Sequence, residues 1–170
     1  AMLSLPDGRL HVWFVDVGEG DAVIVRAPSG QFIVIDGGPS PSALASAIGR
    51  RMPFYQRDIA LVVLTRASDE KLAGLVTLLE RYTVAQVIEP NAARLGTTAL
   101  RWRDLERAKS IVAQTATDGL QAQLGDGVTL EVMRAGGEDE GLTLRLTHGA
   151  LSIWFGGDGD VSALLQQMPE

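Results

Sequence analysis

Apolar and polar positions alternate in short blocks through the first 36 residues. Leu10 to Asp16 is rich in Val, Trp and Phe, Ala22 to Arg26 follows a glycine-containing turn, and Phe32 to Asp36 follows Pro28-Ser29-Gly30. This pattern predicts three strands in a meander. Pro41 then opens a stretch, Ser42 to Arg51, with apolar residues at 44, 45 and 48 and a basic end at Arg50 and Arg51, the polarity of a helix. Ile59 to Thr65 is a continuous apolar run, Asp69 to Arg81 carries Leu72, Leu75, Val76 and Leu79 at helical spacing, and Val84 to Ile88 is strand-like again. The three together predict a β-α-β crossover.

After Glu89-Pro90, the segment Thr97 to Lys109 reads as an amphipathic helix with Leu105, Ala108 and Val112 on one face and Arg103 and Arg107 on the other. From Ile111 onward the pattern returns to strands: Leu120 to Leu124, Val128 to Met133, Leu142 to Thr147 and Leu151 to Phe155, the last two forming a hairpin. Val161 to Gln167 begins a helix with Asp160 as its N-cap. The order of elements predicts an α/β fold of two sheets with helices packed outside them. The second sheet is expected to keep an open edge, which further polypeptide or a second copy would cover.

Length and charge narrow this picture. A chain of 170 residues makes one domain, 1–170. With no cysteine, a disulfide framework and thiolate metal sites are excluded, and two histidines, His11 and His148, cannot build a histidine-rich dinuclear centre. The formal charge of −6 argues against a surface that attracts phosphate backbones everywhere. The longest apolar stretch, Ile59 to Leu64, is far short of the roughly 20 residues a membrane helix needs, so the fragment is expected to be soluble. No secretory signal opens the chain, and Ala1 ahead of Met2 reads as a cloning scar.

Candidate chemistry gathers at strand ends. Phe14-Val15-Asp16-Val17-Gly18-Glu19-Gly20-Asp21-Ala22 reads first as a tight turn with positive φ at Gly18 or Gly20, its Asp side chains tying up turn amides. Ile33-Val34-Ile35-Asp36-Gly37-Gly38 ends a buried strand on an acid, a common place for function and equally a cap for the turn that follows. His11 and His148 stand beside no nucleophile and are expected to be structural or solvent-facing, and no phosphate-binding or dinucleotide fingerprint is present.

These two motifs, the Leu64-Thr65 strand end and Gly157-Asp158 resemble the metallo-β-lactamase superfamily, specifically the C-terminal domain of ComEC-type DNA-uptake proteins. The resemblance runs from about Leu10 to Asp160 and implies an αββα sandwich lacking its C-terminal portion. It implies a divalent metal, Zn or Mn, and cutting of the non-transported DNA strand. It also implies attachment to a membrane channel of the same polypeptide or complex, outside the cytoplasmic membrane. The metal loop departs from the pattern. Arg66 and Ser68 stand where the first two histidines would be, Glu70 replaces the aspartate and Lys71 the third histidine. Asp158 keeps its ligand position, and Asp36 stands in a supporting position beside the metal site.

A guanidinium, a hydroxyl and an ammonium do not ligate zinc, so no metal cofactor is expected. Arg66 and Lys71 are expected to supply the positive charge instead, pairing with Asp36 and Asp158. A carboxylate site for Mg²⁺ or Mn²⁺ from Asp36, Asp69, Glu70 and Asp158 is the weaker alternative. Arg66, Lys71, Arg101, Arg103 and Arg107 are candidate phosphate contacts, with Trp102 either stacking a base or packing on the core. The expected function is a degenerate, non-catalytic domain of a DNA-uptake protein with a structural, assembly or DNA-contact role, single-stranded DNA and a second copy being candidate partners. The alternative is an active metal-dependent phosphodiesterase or nuclease, using carboxylates or ligands beyond this fragment.

Overall fold

A computed structural model describes residues 5–91, 96–136 and 141–156. The elements, in chain order, are β1 (His11–Asp16), β2 (Asp21–Arg26), β3 (Phe32–Ile35), α1 (Pro41–Gly49), β4 (Asp58–Val63), α2 (Asp69–Arg81), β5 (Thr83–Glu89), α3 (Thr97–Ala108), β6 (Val112–Thr115), β7 (Gln121–Gln123), β8 (Thr129–Ala135), β9 (Leu142–His148) and β10 (Leu151–Phe155).

Strands β1 to β6 form one sheet in sequence order, and β10-β9-β8-β7 form a second. The first three strands pair antiparallel, as a meander must, and β3 to β6 run parallel, joined by the crossover helices. The period-2 alternation of side chains splits the first sheet between two cores. On β2 and β3, Ala22, Ile24, Phe32 and Val34 face α1, α2 and α3, packing among Leu44, Ile48, Leu72, Leu75, Leu79 and Trp102. Their neighbours Val23, Val25, Ile33 and Ile35 face the second sheet and meet Leu130, Val132, Leu144, Leu146 and Phe155. Because both faces of β2 and β3 are covered, these strands read as unbroken apolar runs. The result is a helix layer on a sheet on a sheet. The helix expected at Val161–Gln167, with Asp160 as its cap, lies outside the described residues.

Two elements differ from the sequence expectation. β6 has no apolar alternation, and all four of its residues are exposed at the edge of the first sheet. It forms because its backbone completes the parallel ladder beside β5. On α3 the inward face is Ala99, Trp102, Leu105 and Glu106, while Ala108 and Val112 are exposed. A tryptophan at 102 buries far more apolar surface than an alanine at 108, and it turns the helix accordingly.

Candidate functional site

The C-terminal ends of β3, β4 and β5 lie at one edge of the first sheet, where α/β folds place their chemistry. Asp36, directly after β3, adopts φ 57°, a left-handed conformation that costs a non-glycine residue about 1 kcal/mol or more. Its backbone N–H donates to Val63 O at 2.9 Å, and the next amide, Gly37, donates to Lys71 O at 3.0 Å. The turn is thereby pinned to β4 and to the start of α2. It aims the Asp36 carboxylate inward, where Thr65 donates to it twice, from N–H at 2.7 Å and from Oγ1 at 2.6 Å. Lys71 Nζ completes the set at 2.8 Å from Oδ2. Asp36 is 4% exposed and Lys71 8%.

Burial pushes the Asp36 carboxyl up from its ordinary range, opposed first by the Lys71 ammonium and then by the Thr65 donors. The pair sits in a cleft lined also by Asp21, Ile35, Phe155 and Gly156, whose free space of about 20 Å³ suits one water molecule. Thr65 ties this edge to the second sheet as well, since its carbonyl accepts from Leu142 N–H at 2.8 Å.

Close backbone contact makes this arrangement tight. Gly74 N–H donates to Gly38 O at 3.0 Å. A Cβ on Gly74 would lie 2.1 Å from Gly37 O, so α2 rests directly on the Asp36-Gly37-Gly38 turn. Gly38 holds φ 67°, and any side chain there would strike Val17.

No family model matches the sequence, and no curated protein does. Solved structures match in shape. A metallo-β-lactamase of Cronobacter sakazakii with a HARLDQ motif is 20% identical, with a TM-score of 0.64 over 85% of this chain and 55% of that one. The metallo-β-lactamase fold protein YhfI of Bacillus subtilis, 11% identical, gives 0.56 over 79% of this chain and 53% of its own. Zn²⁺-bound PqqB of Methylobacterium extorquens, 15% identical, gives 0.56 over 79% and 47%. The chain has the metallo-β-lactamase fold. It spans roughly half the length of these structures.

Within that fold the described residues at the expected ligand positions do not suit a zinc centre. Among the described residues no three His, Asp or Glu side chains converge. The position expected for a third histidine carries Lys71, whose ammonium repels a cation and already occupies the Asp36 carboxylate. Ser68 precedes α2 as its N-cap residue, and its buried Oγ has no hydrogen-bond partner. Arg66 is partly buried. Asp69 and Glu70, the other carboxylates of the alternative cation site, are exposed in the first turn of α2, where they complement the helix dipole. Asp158 lies outside the described residues, and with it the part of the expected pairing that involves it.

The candidate DNA-contact arginines of α3 do not share one orientation. Arg101 pairs with Glu80 at 2.9 Å, Arg107 lies 3.9 Å from Asp104, and Arg103 turns inward to Glu89 at 3.0 Å. Trp102 is buried, donating Nε1–H to Glu89 Oε2 at 2.9 Å, which is its core reading and not the base-stacking one. Lys109 caps the C-terminal carbonyls of α2 at Leu79, Glu80 and Tyr82.

Sequence reasoning passed over a second buried acid pair here. Glu89 ends β5 as Asp36 ends β3, and it is buried. Glu106, one turn beyond Trp102, is 6% exposed, its Oε1 has no hydrogen-bond partner, and burial first, then the Glu89 charge, raises its pKa to about 7. The signal available was an acid closing an apolar strand, the same one that marked Asp36. At the turn, Gly18 and Gly20 both hold positive φ and Asp16 Oδ1 accepts from Gly18 N–H at 3.1 Å, and His11 Nε2 bonds Asp7 at 2.8 Å while its ring stacks on Trp13.

Proposed function

We propose that this chain is a degenerate, non-catalytic metallo-β-lactamase-fold domain of a ComEC-type DNA-uptake protein, serving a structural, assembly or DNA-contact role. The observation that carries the non-catalytic part is the Lys71–Asp36 ion pair at 2.8 Å. A buried ammonium on the carboxylate of the strand-end turn neutralises the acidic edge without a cation, and removing it would leave a buried charge unpaired. The likeness of the Asp16–Ala22 and Ile33–Gly38 motifs to that family supports the DNA-uptake assignment. So does the fold. Single-stranded DNA, a membrane channel of the same polypeptide or complex, and a second copy joined through a sheet edge are the partners this reading names. No described helix is long and apolar enough to cross a membrane.

Calorimetric titration of the chain with Mn²⁺ and Zn²⁺ tests the proposal. The expected result is no heat of binding up to about 1 mM metal, a binding free energy weaker than roughly −4 kcal/mol. Stoichiometric micromolar binding, with phosphodiester turnover that Asp158→Ala removes, would replace it with the metal-dependent phosphodiesterase reading. Affinity for single-stranded DNA that does not fall with salt would remove the arginines from any phosphate contact.

A further inference from the structure

The opposite rim of the first sheet, away from Asp36, carries an exposed aromatic loop among arginines. Residues 50–57, between α1 and β4, read Arg50-Arg51-Met52-Pro53-Phe54-Tyr55-Gln56-Arg57, with three arginines and no acid. Phe54 is 82% exposed and Tyr55 53%. Their rings meet edge to face with centroids 5.5 Å apart, so the two side chains form one projecting unit. Met52 is buried and anchors the loop to the helix-side core.

The surroundings repeat the same composition. Pro53, Tyr55 and Gln56 line a cleft with Pro6, Arg26 and Gly30, and Arg26 continues into a second cleft with Trp13, Arg50 and Arg51. Leu5, 65% exposed, precedes Pro6 on this rim. Arg51 lies over the Trp13 ring at 5.4 Å and donates to Ala47 O, and Arg57 lies over Tyr82 at 5.8 Å. The acids nearby are Asp7, which pairs with His11 and Arg26, and the exposed Asp58. A chain with net charge −6 thus concentrates basic charge around its most exposed aromatic side chain.

We propose that this rim docks on an anionic lipid surface, with Phe54 and Tyr55 entering the headgroup region and Arg50, Arg51 and Arg57 meeting lipid phosphates. Exposed aromatic side chains gain from the interface because their apolar bodies leave water there, and arginines beside them gain from the negative surface potential. A duplex backbone would use the arginines and leave Phe54 unused, whereas a single strand would stack a base on it, so an oligonucleotide is the competing ligand in the test. Both sides of the projecting loop are basic, which suits a charged plane and opposes pairing with a second copy of the same loop. The inference stands apart from the DNA-uptake reading, because it is measured without metal, nucleic acid or turnover.

Co-sedimentation of the chain with vesicles of phosphatidylcholine alone and of phosphatidylcholine mixed with phosphatidylglycerol tests it. Binding is expected to the mixed vesicles only, and to weaken as salt screens the arginines. Phe54→Ser should lower the partition coefficient on the order of tenfold, and Arg50→Gln and Arg57→Gln about fivefold each. All three side chains are exposed, and unchanged thermal unfolding would confirm that the variants fold. No binding to the mixed vesicles at low salt would overturn the proposal. So would vesicle binding indifferent to Phe54→Ser, which is charge attraction alone. A single-stranded oligonucleotide bound while the mixed vesicles are not would overturn the lipid reading and assign the rim to nucleic acid, with or without a loss on Phe54→Ser.

Discussion

Lys71 and Asp36 are each tolerable in the interior only because of the other, and this makes their substitution strongly non-additive. Lys71→Met should destabilise the fold by about 3 kcal/mol, since it leaves the Asp36 carboxylate desolvated. With the ammonium gone, burial raises the carboxyl further against the Thr65 donors alone, so the loss should grow as pH rises above the ordinary carboxyl range. Adding Asp36→Asn should recover part of it; urea denaturation of the two single variants and the double one measures the coupling. Glu106 gives a second, independent pH signature. Its folded pKa of about 7 exceeds the ordinary carboxyl value of 4.5, so the folded state holds the proton longer than the unfolded state. Its contribution is therefore fully present below about pH 4.5 and is lost as pH rises through 7. Glu106→Gln should flatten that decline and should be more stable than wild type at pH 8, relative to their difference at pH 5, in the same urea assay. Of the site residues, Asp36 was visible in the sequence because an acid closing a buried strand is conspicuous. Lys71, 35 positions away, entered as a partner through the family resemblance, but the two Thr65 donors did not, because Thr65 is 29 positions away and only the parallel pairing of β3 with β4 brings it to Asp36.

At the scale of elements, the contact between α2 and the turn after β3 depends on two glycines. Gly74 lies inside a helix, where alanine would normally be the better residue by roughly 1 kcal/mol. Here a methyl group would meet Gly37 O at 2.1 Å, so Gly74→Ala should cost on the order of 3 kcal/mol, read as a lowered urea midpoint with an unchanged m-value. The substitution pushes α2 away from the turn, so a crystal structure of the variant should show a lengthened Lys71–Asp36 contact. Helix α2 was legible at both ends, Asp69 to Arg81, because its first-turn acids, apolar spacing and terminal arginine agree. Helix α3 was legible in extent but not in rotation, since a tryptophan and a buried glutamate on its inward face break the simple apolar stripe. Strand β6 was not legible at all: an exposed edge strand is made by the backbone of its neighbour, and its own side chains carry no trace of it.

At the scale of the molecule, strands β2 and β3 contribute alternate residues to two cores, so neither core persists without the same sheet. Unfolding should therefore be one transition, with tryptophan fluorescence and far-UV circular dichroism giving the same urea midpoint. Trp102 reports the helix-side core and Trp154 the second sheet, and separated midpoints would mean that the second sheet opens alone. The kinds and order of most elements, the α/β class, the turn at Gly18 and Gly20, and the mismatch between this loop and a histidine metal centre were all legible along the chain. Those are properties of local spacing and residue chemistry. The three-dimensional arrangement was needed to see that Thr65 donates twice to Asp36, that Glu89 and Glu106 share a buried corner with Trp102, and that a basic aromatic loop occupies the rim opposite the site. Each is a contact or placement between segments distant along the chain, and it follows from which strands lie side by side, which no local pattern encodes.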